Sequence, residues 1–238
     1  MHLLKDVKFI FLYSLLLLVG AAEHPLKASM VFSGTLVSDE DLKTFFFKVS
    51  DESTITIRTL GYAGGTQSDG NVVPSGGFDS FLTLFVFPGG DLVTTNDDGP
   101  NANSDPETGQ WLDAAIQQDL APGSYLAVLS QYDNAPNGST LLSGFSQSGN
   151  PNFTNNPTFA LGDPCPTAQF RDSTGGAGHC RNGSYTIEFT NALDITESYS
   201  QLGLPPMAPT PEPNTFLSFL AAASCWIGTK RCRQTKLT

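Results

Sequence analysis

Residues 44–62 read TFFFKVSDESTITIRTLGY. Two runs rich in β-branched and aromatic residues, 44–50 and 54–62, flank Asp51, Glu52 and Ser53. Such side chains pack well on a pleated surface, and a polar connection this short is of hairpin length. In the second run Ile55 and Ile57 share one face with Thr59, while Thr54, Thr56 and Arg58 take the other. That is the period of two expected of a half-buried strand.

The same pattern extends in both directions. MVFSGTL at 30–36 precedes the pair across another polar connection, VSDEDLK. FLTLFVF at 81–87 is apolar on both faces, which predicts a central strand, and Pro88-Gly89-Gly90-Asp91 turns it into LVTT at 92–95. AAIQQ at 114–118 leads through the Pro122-Gly123 turn into YLAVLSQ at 125–131. SYTIEFTN at 184–191 alternates cleanly, with Tyr185, Ile187 and Phe189 facing inward and Thr186, Glu188 and Thr190 outward. The body contains no amphipathic helical pattern of any length. About eight short strands predict an all-β chain, a single jelly-roll-like β-sandwich over residues 23–200.

Residues 134–181 change character, being rich in Asn, Pro, Gly and Ser with scattered Phe and Leu. They read as an irregular insertion ahead of a final strand at 184–191. Within this stretch, Cys165 and Cys180 bracket a Gly-rich loop and are expected to pair as a disulfide in an oxidising compartment. Closing a loop of that size is worth about 3 kcal/mol in the chain-entropy model. Zinc is the rival reading, since His179 stands beside Cys180, although C-x2-C spacing is absent.

The two ends have a different logic. Lys5 and Lys8 precede an apolar run over 9–19, followed by Gly20-Ala21-Ala22. Charged region, short apolar region and small residues form a secretory signal peptide over 1–22, to be removed by signal peptidase. At the other end a Pro-rich linker over 201–210 leads to Pro211-Glu212-Pro213 and a mostly apolar segment over 214–228. Lys230, Arg231 and Arg233 follow directly. Basic residues behind a short hydrophobic helix resist translocation, so 214–228 is expected to anchor transiently in the inner membrane with the body outside.

Pro211, Glu212 and Pro213, with Thr215, the apolar segment and the terminal basic cluster, resemble the PEP-CTERM sorting signal of Gram-negative bacteria. The resemblance covers 211–238. It implies an exosortase as partner, a membrane-embedded cysteine-protease-like enzyme that recognises the tripeptide and removes the remainder of the tail. A second resemblance is carried by FSGTL, TFFFKVSDESTITIRTLGYAGGT, GGFDSFLTLFVFPGGDLVTTNDDG, LAPGSYLAVLSQYDN and GFSQSGNPNF. These segments look like the DVUA0089 family of exported bacterial proteins and, more loosely, the bacterial pre-peptidase C-terminal domain, a β-sandwich. Both imply a fold and a setting at the cell envelope, surface or extracellular matrix, and neither implies an activity.

Charge narrows the function classes. Six of the twelve basic residues and only Asp6 of the twenty-three acids lie in the leader or behind the apolar segment, so the body is near −16 against −11 for the whole chain. Binding nucleic acid or anionic lipid needs clustered cations, so the body repels both, and nucleic acid is excluded as a partner. Catalysis lacks parts. His2 lies in the leader and His24 just behind it, which leaves His179 as the sole candidate base, and neither G-x-S-x-G nor H-E-x-x-H occurs. The chain therefore reads as non-enzymatic and without a cofactor, Ca²⁺ being the one candidate ion. If 81–87 and 92–95 form a hairpin, Asp79 comes near Asn96, Asp97 and Asp98, hard oxygen donors of the kind calcium takes; Asp105 and Glu107 lie further along the same loop. The alternative is that these residues cap their own turns. Carbohydrate binding, to an exopolysaccharide, is the other class. Trp111 is its main candidate for stacking on sugar, with Tyr132, Phe153 and Phe159 as further loop aromatics.

Overall fold

A computed structural model describes residues 29–100, 102–155, 168–172 and 179–200. The leader, the linker and the 211–238 tail, with Pro211, Glu212 and Pro213, lie outside the described residues, as do Cys165 and Phe159. The Cys165–Cys180 pairing lies outside them too.

The chain is all-β. Its strands are β1 (Ser29–Thr35), β2 (Leu42–Val49), β3 (Ser53–Thr59), β4 (Gly65–Thr66), β5 (Val72–Val73), β6 (Ser80–Phe87) and β7 (Leu92–Asn96). Then come β8 (Ala115–Leu120), β9 (Gly123–Gln131), β10 (Arg171–Asp172), β11 (His179–Cys180), β12 (Ser184–Thr190) and β13 (Leu193–Ser200). Two antiparallel sheets dominate, ordered β1-β12-β3-β8 and β13-β2-β9-β6-β7.

The strands over 30–36, 44–50 and 54–62 are present, the last ending at Thr59. Their connections are of hairpin length, yet successive strands do not pair. β1 joins β12, β2 joins β9 and β13, and β3 joins β12 and β8. Each short link crosses from one sheet to the other, because every strand has one strongly apolar face to bury against the opposite sheet.

Between the sheets, Ile55 and Ile57 of β3 and Tyr185, Ile187 and Phe189 of β12 meet Phe45 and Phe47 of β2, Leu82 and Leu84 of β6 and Leu129 of β9. Phe45 and Phe47 lie 5.4 and 5.8 Å from Phe189, ring centre to ring centre, in the tilted arrangement that aromatic quadrupoles favour.

The apolar double face of 81–87 has a direct cause. β6 lies inside its sheet, between β9 and β7. Its Leu82 and Leu84 fill the main core, while Phe85 turns to a second cluster with Leu42, Leu126, Val128, Leu141 and Phe145. The last two come from the insertion, whose described part is packed down. Leu92 N donates to Ser139 O at 2.9 Å and Leu141 N to Gly90 O at 2.8 Å, which binds the insertion to the β6–β7 turn. Buried Asp39 fastens its far side, accepting from Thr154 N, Thr154 Oγ1 and Phe170 N at 3.0, 2.6 and 2.6 Å.

Two expectations are corrected. The strand over 184–191 is not the last, since β13 comes after it and edges the five-stranded sheet. The outward face of β12 is also not open to solvent. Thr186 and Glu188 are buried because Ser29, Arg58 and Ser68 close over them. β13 ends with Ser200 opposite Leu42, in the row that continues across the sheet to the end of β9 and the start of β6.

Candidate functional site

At that end of the five-stranded sheet, three neighbouring strands deliver acids to one rim. β6 begins just after Asp79, β7 ends just before Asp97, and β9 ends two residues before Asp133. The registers Ser80↔Gln131 and Leu82↔Asn96 place these ends side by side, and Tyr132 N donates to Asp79 O at 3.0 Å. The 81–87 and 92–95 segments do form the expected hairpin, which puts the strand ends beside Asp79, Asp97 and Asp98 on the same rim.

Asp79 is 9% exposed, and its Oδ1 has no hydrogen-bond partner. Burial pushes its carboxyl well above the ordinary carboxylate range, and the charges of Asp172, Asp98, Asp97 and Asp133 push it further. Partial burial and Asp97 raise Asp98, and burial raises Asp133. The Tyr132 phenol is raised by burial and then by Asp133, Asp97, Asp79 and Asp98. Tyr132 thus feels all four acids of the rim.

Asn96 does something else. Its Oδ1 accepts from Ala115 N at 2.8 Å and its Nδ2 donates to Asp98 O at 3.1 Å. It stitches the edge of one sheet to the edge of the other and shapes the Asp97–Asp98 turn. Gly99 then lets the turn lie against β8, since a Cβ there would stand 2.7 Å from that of Ala115. Among the described residues, no group of three or more His, Cys, Asp or Glu side chains is drawn together tightly enough to hold a metal ion.

Asp105, from the same acidic loop, has left it. Its carboxylate forms a fork with Arg181 Nη1 and Nη2 at 3.2 and 2.9 Å, and the two side chains are 0% and 1% exposed. Burial opposes ionisation, but Arg181 and Thr108 hold Asp105 down at about 2. Arg181 also lies 4.0 Å from the centre of the Tyr62 ring, and the Tyr62 hydroxyl donates to Asp172 at 2.5 Å. Asp113 accepts from Tyr62 N, Ala63 N and Thr59 Oγ1 at 3.0, 2.9 and 3.0 Å. This buried network escaped the sequence reading. The one available signal was an arginine, Arg181, in a body with six basic residues.

Of the aromatics, Trp111 is 58% exposed and Tyr132 42%, whereas Phe153 is buried and cannot stack on a ligand. Trp111 belongs to the same end of the molecule, because the carbonyl of its neighbour Leu112 faces Ser80 N at 3.5 Å. A separate groove of about 600 Å³ runs over the outer face of the four-stranded sheet, past Thr56, Arg58, Ser68, Asn103, Gln117 and Glu188. Its floor is already satisfied. Burial opposes ionisation of Glu188, yet Ser68, Ser29 and Arg58 hold its carboxyl at about 2.

Neither protein-family models, nor curated proteins, nor solved structures give a match to this chain.

Proposed function

We propose that this chain is an exported, non-enzymatic β-sandwich protein that an exosortase sorts to the cell surface or the extracellular matrix of a Gram-negative-type bacterium. The single observation that carries the reading is the order Pro211-Glu212-Pro213, apolar 214–228, then Lys230-Arg231-Cys232-Arg233, set against the charged and apolar leader at 1–22. A jelly-roll arrangement is supported by the way the long strands alternate between the two sheets everywhere except at the β6–β7 hairpin, β13 being an added edge strand. The acidic body suits a hydrated exterior and repels polyanions. Its acid-lined rim is the binding face, and calcium is the ion that rim favours.

The test is mass spectrometry of the protein made in a host with an exosortase. The expected product lacks residues 1–22 and the segment behind the tripeptide, whereas Glu212→Ala keeps its tail and stays with the inner membrane. Full-length protein in the cytosol would overturn the reading. A second reading, a carbohydrate-binding module, is favoured by the exposure of Trp111 and Tyr132 on the same rim. Glycan-array binding lost in Trp111→Ala would support it, and an array without binding would end it.

A further inference from the structure

The acids buried in this structure share one property, with one exception. Asp39, Asp41, Asp105, Asp113, Asp172 and Glu188 each accept hydrogen bonds from backbone or side-chain donors. Among the described acids Asp79 alone keeps a buried carboxyl oxygen without a partner; the Thr83 and Ser130 hydroxyls of the same sheet are likewise unpaired. A buried polar group left unsatisfied costs about 1–3 kcal/mol, more if charged, and a carboxyl oxygen so placed is open to a cation. The oxygen belongs to the rim that also carries Asp97, Asp98 and Asp133. None of these four carboxylates takes part in the ion pairs among the described residues, which join Lys43 to Glu197, Lys48 to Asp194, Arg58 to Glu188, and Arg181 to Asp105 and Asp172. Among the described residues, the one hydrogen bond to their carboxylate oxygens is local, from Asp98 N to Asp97 Oδ1 at 3.0 Å.

We infer that Asp79, Asp97, Asp98 and Asp133 form one site for a hard divalent cation, calcium, with buried Asp79 as the fixed ligand and the Asp97–Asp98 turn as the part that closes on the ion. This deepens the calcium reading of the rim and is independent of the sorting signal. It adds Asp133, which reaches the rim through the β9–β6 register, and removes Asn96, whose side-chain oxygen is taken by Ala115 N. Calcium fits better than magnesium. It accepts six to eight oxygens in loose geometry, whereas magnesium demands a tight octahedron. A site drawn from three separate strand ends is not held in one rigid frame, and its carboxylates are not gathered tightly around one point. Closure is a local event, because Asp98 is exposed and Asp97 is half-buried in a turn.

The test uses the exported protein, stripped with EGTA and titrated with calcium chloride or magnesium chloride while its melting temperature and binding heat are followed. Calcium at 1 mM is expected to raise the melting temperature by several degrees, with magnesium clearly weaker. Asp79→Asn abolishes the shift, Asp97→Ala and Asp133→Ala weaken binding at least tenfold, and Glu52→Gln at the opposite end changes nothing. Because Asp79→Asn removes a buried charge, it is expected to fold and melt no lower than the stripped wild type. The Asp133→Ala arm decides the matter should that variant fail to fold. A calcium shift that survives both changes would put the ion elsewhere and sink this site alone. No shift at 5 mM calcium would sink the calcium reading of the rim as well, and neither result touches the processing experiment.

Discussion

Arg181 and Asp105 show how a single pair can hold distant loops together. Both side chains are sealed from solvent, so the desolvation of each charge is offset chiefly by the other, with Glu107 N and Thr108 helping Asp105 and the Tyr62 ring and Asp172 helping Arg181. Arg181→Met is expected to destabilise the domain by about 3–5 kcal/mol in urea denaturation, because Asp105 is left buried and uncompensated. Adding Asp105→Asn should cost much less than a second loss of that size. The same acids set a pH response. Asp105 and Glu188 are held at about 2, below their ordinary 3.8 and 4.5. Stability from a depressed carboxyl is present above its unfolded value and is lost as pH falls through the folded one. Burial raises Asp39 and Asp113, which work the other way, since the folded state gains relative stability as falling pH protonates them. Thermal melts from pH 8 to pH 2 should therefore pass through a mildly acidic maximum and fall steeply between about pH 4.5 and pH 2.

At the scale of elements, the insertion behaves as a lid on the outer face of the five-stranded sheet. Phe145 fills the second cluster between Phe85, Leu126 and Leu141. Phe145→Ala should cost about 3–5 kcal/mol, and faster hydrogen exchange confined to residues 134–155 is the result to look for. What could be read in the sequence divides along the same line. Strand existence is local, so the alternation of Ile55, Ile57 and Thr59 was visible without knowing any partner. Partner choice is not local: 44–50 and 54–62 look like a hairpin, and only the facing sheet shows that they are split. Glu188 read as exposed because the residues that cover it, Ser29 and Ser68, lie far away in the chain. β13 was missed because LDITESYS carries only Leu193, Ile195 and Tyr199 among acids and hydroxyls. Three of the four rim acids were legible, since a tight hairpin brings Asp79 to the same end as Asp97 and Asp98. Asp133 depends on which strand lies on the other side of β6.

For the whole molecule, closure comes late. Among the described residues β1 pairs with β12 alone, and Phe189 of that strand packs against Phe32, Phe45 and Phe47 from the start of the domain. Such non-local pairing folds slowly, since loop entropy is lost before the contacts are gained. A chain stopped before Ser184 leaves β1 unpaired and the aromatic core open. It is expected to be cut rapidly by protease and to lack a cooperative melting transition, whereas a chain ending after Ser200 keeps both.

The last strand points its final residue toward the acid rim. A molecule held by anything downstream of Ser200 would therefore hang with its carboxylates turned toward the anchor, crowded against the charge of whatever surface holds it. Cutting that tether would lift the constraint, leaving the rim open to ions and neighbouring polymers from any side. Release would then change what the protein can touch as well as where it resides.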